Sequence, residues 1–105
     1  MISRIWHGWT TANNADAYEH IVSTEVLPEI AARRIDGYRG AHLLRRPLED
    51  EVEFVTILWF DSLEAIQRFM GEDYEVAHVP PRARAVLARF DSRSQHYEAL
   101  LSPDG

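Results

Sequence analysis

The sequence contains no cysteine, and this absence excludes several kinds of site. Disulfides, zinc–thiolate centres, iron–sulfur clusters and thiol nucleophiles all depend on cysteine sulfur. Long apolar runs are missing as well, because no stretch approaches the roughly 20 residues that a membrane-spanning helix needs. The first residues also lack the basic and then apolar layout of a signal peptide. We therefore expect no membrane partner and a cytoplasmic location.

The chain also lacks a basic stripe. It has 11 lysines and arginines against 17 aspartates and glutamates, which gives a formal net charge of −6. Since affinity for nucleic acid comes largely from neutralising phosphates, we expect no nucleic-acid partner. Glu75 and His78 match the Glu-x-x-His pattern of di-iron bundles, but such sites need a second copy and further glutamates on facing helices. No metal site is predicted.

Apart from these absences, the composition is that of one ordinary globular domain. The 105 residues are 46% hydrophobic and 27% charged, and they leave no room for two cores. We expect a single domain over residues 1–105, with a frayed tail at 101–105. A domain of this size leaves apolar surface exposed, so a homodimer is a natural way to bury it.

Residues 2–9 alternate and predict a strand, with Arg4 and Trp6 on one face and His7 and Trp9 on the other. Asn13 or Asn14 is then expected to cap a helix. That helix should kink or restart at Pro28, which lacks an N–H, and end near residues 36–37. Its apolar face is formed by Tyr18, Ile21, Val22, Val26, Ile30, Ala31 and Ile35.

An extended segment at 38–46, a polar turn and a strong strand at 54–60 predict a hairpin. Asp61 with Glu64 resembles a capping box for the next helix, and Gly71 provides its end. A short second turn is expected before Pro80 and Pro81. The predicted buried face of the helix is Leu63, Ile66, Phe69 and Met70, and the turn carries Tyr74, Ala77 and His78.

Mixed alternation over 84–97 predicts a long, bulged last strand. The order β-α-β-β-α-β then gives an α+β fold, the ferredoxin-like arrangement of an antiparallel sheet with both helices on one face. Neither face of the strands is cleanly polar. A second copy packed sheet to sheet would cover the other face and form a dimeric α+β barrel.

Four stretches resemble the antibiotic biosynthesis monooxygenase family of the dimeric α+β barrel superfamily. They are Arg-Ile-Trp-His-Gly-Trp-Thr at 4–10, the strand and helix at 54–69, the segment at 71–78, and His-Tyr-Glu at 96–98. The resemblance implies a homodimer and a cofactor-independent monooxygenase acting on a flat aromatic or polyketide-like molecule. It also leaves open haem binding or degradation through His78, and a non-catalytic dimer that binds a small apolar ligand.

The haem-degrading branch places its histidine ligand where His78 stands. That branch also uses an asparagine on the first strand and a tryptophan late in the second helix. Here the first strand offers Trp6, His7 and Trp9, and the helix offers Phe69. Two of the three signature residues are therefore absent.

Cofactor-free oxygenation needs a base with a pKa near neutrality, charge stabilisation for an anion, and a dry pocket. His78 and His7 are the candidate bases, because the pKa of histidine lies near 6.5. His78 could instead be a solvent-facing histidine and His7 a satisfied one within the sheet, while His96 is expected at the dimer contact. The candidate substrate-binding residues are Trp6, Trp59, Phe69, Tyr74 and Arg4. For the aromatic residues the alternative is plain core, and for Arg4 a surface charge.

Overall fold

A computed structural model describes residues 1–103 of the chain. Helical segments alternate with the strands of one antiparallel sheet, as an α+β fold requires. The strands are β1 (Ile2–Thr11), β2 (Tyr38–Pro47), β3 (Glu51–Phe60), β4 (Arg89–Phe90) and β5 (Gln95–Glu98). The α-helices are α1 (Ala15–Ile21), α2 (Leu27–Ala32), α3 (Leu63–Met70) and α4 (Pro81–Arg84).

The order of the strands confirms the predicted ferredoxin-like topology. The sheet runs β2-β3-β1, and both β4 and β5 pair with the outer edge of β1. All pairs are antiparallel, so β3 lies between β1 and β2 as in a split βαβ unit. Tyr18 of α1 packs on Phe54, and Phe69 of α3 packs on Phe60. Because Phe54 and Phe60 point to the same side of β3, both helical layers cover one face of the sheet.

The first helical region is continuous but irregular. A five-residue π-helical turn, Val22–Val26, joins α1 to α2 immediately before Pro28. Pro28 has no N–H and its ring crowds the carbonyl of Thr24, so the turn widens there, in agreement with the predicted kink or restart. The helix ends at Ala32, earlier than predicted. The exposed Ala31 and the half-buried Ile35 therefore do not continue its buried face.

Two predicted helix caps are wrong. The Thr11 hydroxyl accepts from the Asn14 N–H, while the Asn14 side chain makes no capping bond. At α3 the cap is Ser62, which accepts from the Ala65 N–H. Asp61 is occupied elsewhere, because both its carboxylate oxygens bind Arg39. These choices depend on tertiary partners that local sequence does not reveal.

The third helix ends as predicted at Gly71, whose φ of 91° suits glycine. Leu63 was predicted on its buried face but is 41% exposed, and the fully buried Ala65 takes that place beside Ile66 and Phe69. The predicted second turn is shorter than expected: the Val76 N–H donates to Asp73 O at 3.3 Å, so the turn includes Tyr74 but not Ala77 or His78, and it does not continue as a helix. Pro81 begins α4, because its fixed φ and missing N–H fit the first turn of a helix.

The predicted long last strand is wrong. Residues 84–97 contain the end of α4 and the two short strands β4 and β5, separated by a segment that leaves β1. That segment, residues 92–94, pairs instead with residues 75–77. Arg93 forms a β-bridge with Val76, the Ala77 N–H donates to Ser92 O at 3.0 Å, and the Ser94 N–H donates to Glu75 O at 2.6 Å. Pairing with this distant loop interrupts the ladder, since one strand edge cannot serve both partners.

The two faces of the sheet differ in cover. Phe54 and Phe60 are fully buried under the helices. The opposite side, called the open face below, carries half-buried and exposed apolar residues: Ile5, Trp9, Leu44, Val55, Ile57, Trp59 and Tyr97. No helix within residues 1–103 is long and apolar enough to span a membrane. The tail predicted to fray, 101–105, lies partly outside the described residues.

Candidate functional site

A small cavity lies between the helices and the covered face of the sheet. Its volume is about 40 Å³. Polar groups from four parts of the chain reach it: Arg4 on β1, Thr56 on β3, His78 on the loop between α3 and α4, and Ser94 on the loop between β4 and β5. The remaining wall is apolar and consists of Trp6, Val22, Val26, Leu27, Ile30 and Leu58. A few polar groups around an apolar space are typical of a small-molecule site.

The π-helical turn forms part of this wall. Val22 and Val26 are its first and last residues, and both are buried against the cavity. A π-helical turn shifts the helical phase, so the residues that follow it face a different side than they would in a regular α-helix. Such turns occur frequently at functional sites. In the sequence, Pro28 is the residue that indicates this irregular helical turn.

Arg4 is the charged centre of the site and is only 2% exposed. One terminal nitrogen donates to the Tyr74 carbonyl and lies 3.0 Å from His96 Nε2, and the other donates to the Val76 carbonyl at 2.7 Å. Burial lowers the pKa of Arg4 to about 10, and the charge of Glu75 acts in the opposite direction. The guanidinium therefore stays protonated at neutral pH and fixes the loop at 74–76 to the sheet.

His96 lies beside Arg4 on the covered side, away from the open face that a sheet-to-sheet partner would contact. Because the guanidinium can only donate, His96 Nε2 must accept, and the ring proton belongs on Nδ1. That Nδ1 is buried without a hydrogen-bond partner among the described residues. Burial and then Arg4 lower the pKa of His96, while Glu75 raises it. The sequence offered no signal for this neutral histidine.

His78 stands on the loop between α3 and α4. The His78 ring packs at a tilt on the Phe69 ring, and the two ring centroids are 5.2 Å apart. One side of His78 borders the cavity, and another borders a surface groove of about 520 Å³ between α2 and residues 77–82. His78 as a whole is an exposed residue, which agrees with the solvent-facing alternative. His78 therefore forms the boundary between the internal cavity and solvent.

The surroundings of His78 favour the neutral form of its ring. Partial burial lowers its pKa most, followed by the positive charges of Arg33, Arg4 and Arg82, and Glu29 raises it. A neutral imidazole at physiological pH can accept a proton. This environment is suited to a general base.

The structure does not bring all the predicted site residues together. Arg4, Trp6, Phe69, Tyr74 and His78 lie on the covered side. Trp6 borders the cavity with its ring and donates its N–H to the Asp91 carbonyl at 2.7 Å. Tyr74 contributes its carbonyl to Arg4 and packs its ring on His96, and Phe69 packs under the guanidinium of Arg4.

His7 and Trp59 lie on the open face. His7 Nδ1 is 3.5 Å from Asp91 Oδ2, and the Trp59 N–H donates to His42 Nδ1 at 3.0 Å. Neither side chain borders the cavity. The two candidate bases therefore occupy opposite sides of the sheet. Arg33, which no sequence pattern indicated, lines the groove beside His78.

The closed cavity does not fit a haem. Its volume of about 40 Å³ holds only a few water-sized molecules, so a macrocycle, like any other flat ring system, would need the site to open. Among residues 1–103, no group of three or more histidine, aspartate or glutamate side chains could hold a metal ion.

Comparison with known proteins supports the fold and little beyond it. No family model matches the chain, and no curated protein matches it significantly by sequence. Among solved structures, the chain is similar to SnoaB, a cofactor-independent oxygenase from Streptomyces nogalater, with a TM-score of 0.57 and 18% identity. The alignment covers 99% of this chain and 98% of SnoaB. The likeness confirms the α+β fold.

Proposed function

We propose that this protein is a cofactor-independent monooxygenase that oxidises a flat aromatic or polyketide-like substrate with molecular oxygen. The observation that carries the proposal is the position of His78, a neutral histidine where an apolar cavity containing the buried Arg4 meets a surface groove. The shared fold with SnoaB, a cofactor-independent oxygenase, supports it. We propose the cytoplasm as its location.

The chemistry follows from the substrate class. In an anthrone, His78 removes a proton from the central methylene carbon, and the resulting anion reacts directly with oxygen. A new carbon–oxygen bond forms, and the oxygen–oxygen bond then breaks with loss of one water. One oxygen atom ends in the new carbonyl, the other leaves in the water with the two methylene hydrogens, and the anthrone becomes a quinone. The protein supplies the base and the environment.

Arg4 would stabilise the anion by its charge. Its guanidinium is buried beside the cavity, where a positive charge acts through a low local dielectric. Loop carbonyls and His96 already occupy several of its N–H donors, so the field of the charge matters more than a new hydrogen bond. Trp6 adds a flat apolar wall, because its N–H is already bound to the Asp91 carbonyl.

Substrate entry would require the site to open. A cavity of about 40 Å³ cannot hold a tricyclic molecule, whereas ligand pockets typically measure roughly 300–1,000 Å³. Residues 78–80 border the outer groove, and His78 lines both the groove and the cavity. Moving these residues away from α2, while residues 74–77 stay bound to Arg4 and to residues 92–94, would join the two spaces around the proposed base. Such gating is common in enzymes that exclude water from reactive intermediates.

We propose that the protein acts as a homodimer. The open face carries five half-buried apolar residues on its two central strands, namely Ile5, Trp9, Val55, Ile57 and Trp59. Packing a second copy on this face would bury them, in the manner of two sheets stacked about 10 Å apart. His7 and Trp59 would then belong to the dimer interface, away from the chemistry.

Oxygen uptake by metal-free and haem-free protein tests the proposal, with a panel of anthrones and hydroquinols as substrates. We expect uptake coupled to quinone formation, reduced about 100-fold or more in His78→Ala, since general bases contribute at least that factor. His20→Ala is the matched control, because His20 is an exposed histidine on α1. Uptake that survives His78→Ala would move the base elsewhere. Absence of uptake with tight binding of the same compounds would favour the non-catalytic ligand-binding dimer.

A further inference from the structure

Arg33 is held in a defined position at the mouth of the site. It is the C-cap residue that follows the last residue of α2, and its guanidinium lies over the Phe69 ring at 5.0 Å from the centroid. One terminal nitrogen donates to the Phe69 carbonyl at 3.1 Å. The aromatic ring and the carbonyl together fix the planar group, while its remaining N–H donors are available beside the groove.

Arg33 differs from the other arginine of the groove. Arg82 pairs with two carboxylates, with its Nε 3.0 Å from Glu25 and a terminal nitrogen bound to Glu29, which also lines the groove. No carboxylate within residues 1–103 lies at salt-bridge distance from the Arg33 guanidinium. The groove therefore contains one cation whose charge its carboxylates already exceed and one positioned cation without an anionic partner among the described residues.

We propose that the groove beside His78 is a subsite for a carboxylate substituent of the aromatic substrate, and that Arg33 binds it. The inference rests on the proposed function for the identity of the aromatic part. A guanidinium presents parallel N–H donors that match a carboxylate. The apolar side of the groove, Ile30, Val79 and Pro80, would carry the linker between ring and carboxylate.

This arrangement would place the two ends of one substrate in different environments. The ring would enter the apolar cavity beside Trp6, and the carboxylate would remain in the partly solvated groove, where it need not be dehydrated fully. His78 borders both spaces, so binding the anion would position the reacting carbon near the base. Arg33 is thus a specificity-determining residue, since a neutral analogue would leave its charge unpaired.

The experiment compares two redox-inert flat molecules, an anthraquinone carboxylate and the corresponding carboxamide. Binding is measured by calorimetry with the wild type, Arg33→Gln, Arg33→Lys and Arg68→Gln. Gln keeps a donor for the Phe69 carbonyl, and Lys keeps the charge. Arg68 is the matched control, because its guanidinium donates to the Asp36 carbonyl outside the groove.

We expect the wild type to bind the carboxylate about five- to tenfold more tightly than the carboxamide, as befits one charge-assisted pair at a partly exposed site. Arg33→Gln should lose this preference, Arg33→Lys should retain part of it, and Arg68→Gln should retain it fully. Equal binding of the two compounds, a preference that survives Arg33→Gln, or failure of the wild type to bind the carboxylate would overturn the proposal.

The outcome is independent of the oxygenase test. Anthraquinones are already oxidised, so the measurement reports binding alone. A carboxylate preference without oxygen uptake on anthrones would keep the subsite and reject the activity. Uptake without a carboxylate preference would keep the activity and reject the subsite.

Discussion

The two faces of this sheet differ in how far the rest of the chain buries them. On the covered face, Phe54 and Phe60 are fully buried, and even the charged Arg4 is only 2% exposed. On the open face, Trp9, Ile57 and Trp59 stay half exposed and Tyr97 is 56% exposed. Helices of the same chain cover the first face, whereas no helix among residues 1–103 covers the open face. Chemistry that needs a dry cavity therefore belongs on the first, and a partner on the second.

Neighbouring residues of β1 illustrate the difference. Trp6 and His7 are adjacent in sequence, but the pleat sends Trp6 to the cavity and His7 to the open face. Asp91 contacts both of them, through its carbonyl on one side and its carboxylate on the other. A one-residue step along a strand thus separates a candidate pocket wall from a candidate interface residue.

The largest expected effect is on stability. Phe54→Ala should lower the free energy of unfolding by about 3–5 kcal/mol, because it leaves a cavity in a packed core. Ile57→Ala on the open face should cost about 1–2 kcal/mol in the monomer, since its side chain is already partly in water. Urea unfolding at low protein concentration measures both. Equal losses would show that the two faces are equally buried.

The second effect concerns the buried charge. Arg4→Ala should destabilise the protein by about 2–4 kcal/mol, because the carbonyls of Tyr74 and Val76 and the ring of His96 lose their donor. Amide hydrogen exchange should show the loss of protection at residues 74–77. Arg39→Ala, which removes an exposed ion pair, is the control and should cost much less. A similar cost for the two substitutions would contradict the central role of Arg4.

The third effect concerns association through the open face. Ile57→Glu should raise the dissociation constant of the dimer about 100-fold, because it places an unpaired charge at the middle of an apolar interface. Sedimentation velocity measures the shift, and circular dichroism should show an intact fold. Glu64→Ala on the exposed side of α3 should leave association unchanged. A wild type that remains monomeric at high concentration would reject the proposed dimer.

The smallest expected effect is a pH dependence of the stability, caused by the histidines on the covered side. The folded protein disfavours the charged form of His96, whose pKa lies below its ordinary 6.5, so the unfolded chain binds more protons below that pH. This contribution to stability is complete above pH 6.5 and is lost as the pH falls toward the lowered pKa. His96→Gln should flatten the dependence without abolishing it, because the pKa of His78 is lowered as well. A wild type equally stable at pH 5 and pH 7 would contradict this, as measured by thermal unfolding across the pH range.

Local sequence patterns predicted the parts of the fold that depend on local chemistry. Alternation in β1 assigned Arg4 and Trp6 to one face and His7 to the other, as observed. Pro28 indicated the irregular helix, and Gly71 indicated the end of α3. The β-α-β-β-α-β order was enough to predict the topology, because few arrangements satisfy the rules of connection.

The remaining features depend on partners that are distant in sequence. Asp61 is as good a cap as Ser62 by itself, but Arg39 removes it from that role. The last strand divides because residues 92–94 pair with residues 75–77. Nothing in the pair Arg33-Arg34 indicates that Arg33 would stack on Phe69 in the groove. The joint placement of His78, Arg4 and Arg33 is likewise a product of tertiary structure.

The three tryptophans permit the most direct test of the site. Trp6 borders the cavity, whereas Trp9 and Trp59 lie on the open face, and each has one indole N–H visible by NMR. Titration with a redox-inert anthraquinone should shift the Trp6 indole signal and leave those of Trp9 and Trp59 in place. Shifts at Trp9 and Trp59 with an unchanged Trp6 signal would place the ligand on the open face and contradict the assignment of the site to His78.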